Sequence, residues 1–392
     1  MKVLLAHDYA TPTGGAEILT RALRDGLRDR GHDARWFASS ARPAGGNGGL
    51  ADYECYGAIT APGSAVQAVN VHAYWRLRRA LASFRPDVVH VGIFLTQLSP
   101  LILPLVRDFP SVHEVHWARA VCPIGTKTLP DGSACEVPAG VVCCRNGCLS
   151  LPRWGIRMLP MSLWRRWRSA FDVIAVNSEA MRRLMVAEGF GPLEVVPPGV
   201  PDRGPRPPLI FPPTVAFAGR LIHSKGVDVL VRAFARVVER VPDARLLIIG
   251  SGEESRSLEG LAAALGVASR ITQVGWQARP DMEKRLASAW VQVVPSRSFE
   301  AFGMVAAEAM MRGTAVVVSA VGGLPEIVDD GRTGRVVPPN NHEALADVLA
   351  GILEDRAIAE RMGTAAREVA RRRFLEAAYV DRFVAIYRGL CQ

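Results

Sequence analysis

The sequence predicts an α/β chain built as two doubly wound domains, each a parallel sheet with helices on its faces. Short apolar runs alternate with amphipathic helical patterns along nearly the whole chain, which is the signature of consecutive βαβ units. The alternation breaks once, across a proline-dense segment from Pro197-Pro198-Gly199-Val200-Pro201 to Pro212-Pro213, where neither a helix nor a central strand can persist. A length of 392 residues, 49% hydrophobic and 22% charged, suits two globular domains of about 150–200 residues each.

Met1-Lys2-Val3-Leu4-Leu5-Ala6-His7-Asp8 is too short and too soon charged for a signal peptide. It reads as a first buried strand, and the protein is expected in the cytoplasm. Gly14-Gly15 makes a turn before a helix over Ala16–Arg30, and Gly31-His32-Asp33 leads into a strand at Ala34–Ala38. A helix at Val71–Phe84 feeds a strand at Val88–Val91. The stretch from Pro110 to His116 alternates as a strand does and should end at His116. A strand at Val173–Val176 passes through Asn177-Ser178 into another helix. This first domain, 1–196, is followed by the linker 197–213. The second domain, 214–373, repeats the scheme with strands near Val215, Leu246, Ile271, Val291, Val316 and Val336. No short-period repeat of the solenoid kind is visible, and no apolar run approaches the ~20 residues that span a bilayer.

The chemistry concentrates in the second half. Ser298-Phe299-Glu300-Ala301-Phe302-Gly303-Met304 follows an apolar run and reads as strand, turn and first helical turn. The amides from Phe302 onward, with Gly303 and Met304, would form a free helix N-terminus, which suits a phosphate. Glu300 would lie in the turn and Glu308 inside the helix, two carboxylates able to accept hydrogen bonds from hydroxyls. Two acceptors bracketing an anion site fit a nucleotide sugar, although two solvated glutamates at a helix start would look the same in isolation. Upstream, the strand ending at Gly219 is followed by Arg220 and Lys225, a planar fork and a point charge at the edge where open α/β sheets bind ligands.

These residues, together with Gly250-Ser251-Gly252-Glu253 and Gly322-Gly323-Leu324-Pro325-Glu326-Ile327-Val328, resemble the retaining glycosyltransferases of family 4 (GT4). That family has the GT-B fold, two Rossmann-like domains facing a central cleft. The resemblance covers nearly the whole chain and is densest from Val215 to about Leu349. It implies a UDP- or GDP-sugar donor whose diphosphate is held by Arg220 and Lys225, its ribose by Glu308 and its sugar by Glu300. Gly250, Gly252 and the amides of Phe302, Gly303 and Met304 would line the donor, and Gly14 and Gly15 would admit the diphosphate from the other domain. It further implies that residues 374–392 return to the first domain.

Relatives carry His-Asp at the end of the strand that precedes Cys-Pro. Here His116 keeps that spacing to Cys122-Pro123, so it is the catalytic candidate of the first domain, while Trp117 replaces the Asp. His113 is its competitor. The chain contains no Asp-x-Asp to hold a divalent ion. Arg220, Lys225 and helix dipoles would then stabilise the leaving diphosphate electrostatically, with no protein nucleophile and no cofactor required. An NDP-sugar 2-epimerase of the same fold, or a noncatalytic membrane-associated scaffold, would share much of this pattern. The complete set of donor-side positions favours transfer.

Two further segments stand out. Cys122, Cys135, Cys143, Cys144 and Cys148 crowd into a Gly/Pro-rich insertion, 122–148. In a cytoplasmic protein such clustering suggests structural zinc, with Cys122, Cys135, Cys143 and Cys148 as ligands, although free thiols or another metal also suit the spacing. From Arg153 to Arg168, tryptophans and arginines form a basic amphipathic stretch expected to break at Pro160, a face that suits an anionic membrane and a glycan or lipid-linked acceptor. Net charge +9 and pI near 9.5 also favour anionic partners. No nucleic-acid module is recognisable, so nucleic acid is not an expected partner.

Overall fold

A computed structural model of the chain describes residues 1–11, 14–42, 49–59, 69–204 and 206–392. They form two compact units, Met1–Gly199 together with Glu376–Gln392, and Val200–Leu375.

The first unit is built on a seven-stranded sheet of order β3-β2-β1-β4-β5-β6-β7. The strands are β1 (Lys2–His7), β2 (Asp33–Ser39), β3 (Tyr53–Cys55), β4 (Val88–Val91), β5 (Ser111–Val115), β6 (Val173–Val176) and β7 (Leu193–Val195). Every pairing is parallel. A parallel sheet covered on both faces needs near-continuous apolar strands, and β1 is buried from Val3 to His7. The crossover helices start where the sequence offers caps. Asn70 accepts from the Ala73 amide ahead of helix Val71–Phe84, and Ser178 accepts from the Met181 amide ahead of Glu179–Ala187.

Helix Glu376–Leu390 packs against helix Gly15–Asp29. It buries Tyr379, Phe383 and Tyr387, and Asp381 pairs with Arg30 at 2.8 Å. Three expectations shift. The first helix is Gly15–Asp29 and not Ala16–Arg30. Strand β5 stops at Val115, one residue short of His116. Pro160 does not break its helix, which runs from Leu151 to Arg166 with Met158, Pro160, Met161 and Trp164 facing inward. Trp164 donates Nε1–H to Ala120 O at 3.1 Å and stacks on Phe190, so packing holds this helix across the proline.

The second unit carries a six-stranded parallel sheet of order β10-β9-β8-β11-β12-β13. Its strands are β8 (Thr214–Ala218), β9 (Arg245–Ile249), β10 (Ile271–Gln273), β11 (Val291–Val294), β12 (Ala315–Ser319) and β13 (Gly334–Val337). One core joins Val215, Phe217, Val293 and Val317 of the sheet to Leu230, Phe234 and Leu349 of two helices. Residues 200–213 contain no helix or strand among the described residues, Pro205 of the expected linker lying outside them. They are nevertheless tied down, because Leu209 is buried and Trp290 donates Nε1–H to Ile210 O at 2.8 Å. Within each unit the sheet is parallel throughout, so its strands end, and its crossover loops begin, along one edge of that sheet.

Candidate functional site

In the second unit, the C-terminal ends of β8, β9 and β11 bring the expected residues together. The turns after β8 and β9 are laced by Gly219 N–H to Ile249 O and Leu221 N–H to Ser251 O, both at 3.0 Å. This approach leaves no space for a Cβ. One built on Gly250 would stand 1.8 Å from Gly219 O, and one on Gly252 would stand 2.1 Å from Leu221 O. Gly250 and Gly252, expected at the donor, thus support the backbone that carries Arg220. Arg220 itself is exposed and has no ion-pair partner among the described residues.

Lys225 follows on a short turn, His223–Lys225, that closes at Gly226 (φ +64°), where a Cβ would lie 2.1 Å from Pro295 O. Its ammonium lies 2.6 Å from Glu300 Oε1, which also accepts from Ser296 Oγ at 2.6 Å. The main chain of Glu300 is held in turn by Gly323 N–H at 2.8 Å, and Gly322 (φ +55°) must lack a side chain because a Cβ would meet Glu300 O at 2.1 Å. The glycine pair in the quoted motif is therefore a buttress for the Glu300 turn. Nearby, Arg297 grips Asp228 with two bonds of 2.6 and 2.7 Å; burial alone would raise that carboxyl, but Arg297 holds it below its ordinary range.

Helix Met304–Arg312 starts from Gly303 (φ +120°) without a side-chain cap, so its first amides are open to an anion. Phe302 offers only its backbone, because its ring is buried edge-on against Phe374 at 5.4 Å. Met304 packs against the same apolar cluster. Glu308 is paired with Arg279, at the start of helix Arg279–Leu286. Sequence reasoning missed Arg279, whose only signal is a basic residue in a first helical turn. It also missed Trp276, 71% exposed in the middle of the loop after β10.

A cavity of about 900 Å³ lies elsewhere in this unit, between residues 206–209, the end of helix Met304–Arg312 and helix Arg356–Arg373. Its arginines are largely engaged: Arg206 with Ala289 O, Arg312 with Glu283, Arg356 with Glu360, and Arg367 and Arg371 with Asp202. It therefore offers no open anion cradle.

In the first unit, Gly14 caps helix Gly15–Asp29, where a phosphate was expected. The buried Glu17 carboxyl already takes the Gly14 amide, and its ionisation is pushed up by burial first and by Asp8 as well. Asp8, at the end of β1, is buried and accepts from the amides of Thr96, Gln97 and Leu98 at 2.7–2.8 Å, which fixes the loop after β4. His116 lies one residue beyond β5 with its side chain 4% exposed. Its Nε2 is 3.5 Å from Glu114 Oε2, and neither ring nitrogen has an aligned hydrogen-bond partner. Burial lowers its pKa, partly offset by Glu114. The competitor His113 is a core residue, bonded through Nδ1 to Val91 O at 2.9 Å and stacked on Phe171. Trp117 lies under the Arg119 guanidinium, which burial lowers to about 10.

All seven cysteines are free. Burial raises the Cys148 and Cys143 thiols, with neighbouring thiols adding to it: Cys143, Cys135 and Cys122 for the former, Cys122 and Cys135 for the latter. The four expected ligands are thus neighbours, yet among the described residues no three His, Cys, Asp or Glu side chains are arranged to hold a metal ion. In helix Leu151–Arg166, Trp154 and Trp164 point inward, donating to Gly140 O and Ala120 O, and Arg165 bonds Ala139 O and Glu188. The exposed apolar residues are instead Leu151, Ile156 and Leu159. No helix among the described residues is long and apolar enough to cross a membrane.

The family model "Glycosyl transferases group 1" matches residues 211–369, and "Glycosyltransferase Family 4" matches residues 13–203. The chain belongs to glycosyltransferase family 4. Similar GT4 proteins include the GDP-mannose-dependent alpha-(1-6)-phosphatidylinositol monomannoside mannosyltransferase of Mycobacterium tuberculosis, 35% identical over 55% of this chain and 61% of that one. The D-inositol 3-phosphate glycosyltransferase of Kribbella flavida is 32% identical over 72% of this chain and 66% of that one. The matched part of the chain thus spans 61–66% of the length of these two relatives. Among solved structures, sucrose-phosphate synthase from Thermosynechococcus elongatus has a TM-score of 0.77 at 23% identity, covering 100% of this chain and 99% of that one. Anabaena HepE in complex with UDP and glucose has 0.70 at 18%, covering 99% and 100%. The fold is GT-B, with a Rossmann-like parallel sheet in each unit.

The packing role of Gly250 separates from a donor-contact role by stability. Gly250→Ala should lower Tm by roughly 5–10 °C, because the new methyl collides with backbone at an unfavourable φ. Gly351→Ala, in helix His342–Leu353 where a Cβ meets nothing, should leave Tm equal or higher. An unchanged melt for Gly250→Ala, read by differential scanning calorimetry, would contradict the packing role.

Proposed function

We propose that this protein is a retaining glycosyltransferase that moves a sugar from a nucleotide-sugar donor to an acceptor hydroxyl, without a metal. The observation that carries the reading is the Lys225–Glu300 pair ahead of the uncapped helix Met304–Arg312, with Glu308 inside that helix and Arg220 exposed on the turn after β8, the strand beside β11. Cations and open amides sit beside carboxylates that accept hydroxyls, the complement of a sugar diphosphate with a ribose. The diphosphate takes Arg220, Lys225 and the helix amides. Glu300, released from Lys225, accepts from the sugar, and Glu308, released from Arg279, accepts from the ribose. Trp276 offers a flat face to the base.

In the reaction, the bond from the anomeric carbon to phosphate oxygen breaks with its electron pair going to the nucleoside diphosphate. The acceptor oxygen bonds to that carbon from the same face and passes its proton to the leaving phosphate. The two relatives act, by their names, on a phosphatidylinositol mannoside and on an inositol phosphate. A lipid-linked or polyol acceptor of cell-envelope glycan assembly is the corresponding proposal here. A lipid-linked acceptor would suit the exposed Leu151, Ile156 and Leu159 flanked by Arg153 and Arg166. A structural zinc in the cysteine segment would need thiols drawn closer than they stand, and the transfer chemistry does not call on it.

Arg220→Ala and Lys225→Ala should each reduce kcat by at least about 100-fold while Tm stays within a few degrees, since each removes a cation from the leaving group. Wild-type turnover should persist in EDTA. Near-normal turnover in both variants would sink the donor assignment.

A triple change of Arg153, Arg166 and Arg168 to Gln should weaken binding to anionic vesicles at low salt and leave nucleotide affinity unchanged. Arg165 is kept because it bonds Glu188. Equal vesicle binding by parent and variant, in a flotation assay, would remove the membrane from the reading.

A further inference from the structure

A buried polar network lies behind His116 that the proposed chemistry does not use. Glu114, on β5, is 1% exposed, and its carboxylate gathers hydrogen-bond partners from two other elements. Tyr379 of helix Glu376–Leu390 donates its hydroxyl at 3.0 Å to either oxygen. His90 of β4 lies with Nε2 3.2 Å from Oε2, and its Nδ1 is 2.7 Å from Tyr387 OH. One proton arrangement satisfies all of these: Tyr387 O–H donates to His90 Nδ1, and His90 Nε2–H donates to Glu114. Burial opposes a charge on Glu114, and His116, His90 and Tyr379 reverse the balance, holding the carboxyl below its ordinary range.

An anion kept in the core at such cost has one neighbour left to act on. His116 Nε2 lies 3.5 Å from Glu114 Oε2, and His116 Nδ1 is buried without a partner. His116, Gly92, Ile93 and Trp117 line a cavity of about 10 Å³, room for a single water-sized atom. A Cβ on Gly92 would come within 3.4 Å of His116 Nε2 and 2.6 Å of His7, so this glycine keeps the space open.

We propose that Glu114 is a positioning residue for His116. The carboxylate, set by His90 and by Tyr379 of the last helix, keeps the His116 proton on Nε2. Nδ1 is then free to accept a hydrogen bond from one substrate hydroxyl seated in the small cavity. The 3.5 Å separation shortens when substrate arrives, as catalytic contacts do. The inference rests on His116 acting in the reaction. The ionisable groups that bear on His116 are Glu114, His90 and His113 beside it and His7 at the end of β1, with Tyr379 and Tyr387 behind Glu114.

The test combines kinetics with nitrogen NMR of histidine-labelled full-length protein. In the parent at pH 7, His116 should show one neutral Nε2–H tautomer. Glu114→Gln should mix the tautomers and lower the His116 pKa further, and Tyr379→Phe should do so partly while leaving the ring packed. His116→Asn should lose about 100-fold in kcat/KM and Glu114→Gln about 10- to 100-fold, and the double variant should be no worse than His116→Asn alone. If Glu114→Gln does not fold, Tyr379→Phe carries the same comparison. Independent, multiplying losses, or a His116 tautomer unmoved by both changes, would overturn the positioning role while leaving His116 in the reaction. Full activity in His116→Asn would instead overturn the reading of His116, and with it the proposal.

Discussion

A parallel sheet covered on both faces gives charge no place along its strands, and this constraint organises the rest of the molecule. In β11 every residue is buried, and the one polar side chain, Gln292, is answered by Arg312 at 3.0 Å. In β5 the buried Glu114 survives only because tyrosine and histidine hydrogen bonds surround it. The charged groups of the candidate site, Arg220, Lys225, Glu300 and Glu308, all stand beyond the strand ends. There the crossover helices also begin, with their unpaired amides. Site and scaffold are two consequences of one burial rule.

At those ends the charges are not left bare. Lys225 is paired with Glu300, Arg279 with Glu308, and the Gly14 amide with Glu17. A partly buried cation without a partner would carry a desolvation cost, and these internal pairs offset it until a ligand replaces them. A sugar diphosphate can do so without net loss, since its phosphates take the cations and its hydroxyls take the released carboxylates. The same logic explains why Arg220, which is exposed, has no ion-pair partner among the described residues. Water already solvates it.

The strands were legible because a sheet buried on both faces demands apolar runs, and the fold class and every quoted strand of both units follow from that alone. The donor-side residues were legible as types and spacing. Their partners were not, because they are set by tertiary approach. Lys225 and Glu300 are separated by 75 residues and Glu114 and Tyr379 by 265, distances over which no local pattern operates. For Gly250 and Gly252, expected along the donor, no local pattern shows the second constraint, that a Cβ at either would meet a carbonyl oxygen of the neighbouring turn. Pro160 was read as a break, but a helix packed through Met158, Met161 and Trp164 tolerates one lost hydrogen bond. In the Trp/Arg stretch, composition marks amphipathicity without saying that Trp154 and Trp164 turn inward.

The central claim is that the strand ends of the second unit bind a nucleotide sugar through its diphosphate and hydroxyls together. Thermal unfolding of the parent protein, in EDTA, against a panel of UDP- and GDP-sugars, the free diphosphates and the monophosphates tests it most directly. A ligand at 100 times its Kd stabilises the native state by about 2.7 kcal/mol. At least one sugar diphosphate should therefore raise the unfolding temperature by several degrees, its free diphosphate by less, and the monophosphate hardly at all. A flat response to every sugar diphosphate, or equal responses to monophosphate and sugar diphosphate, would contradict the account.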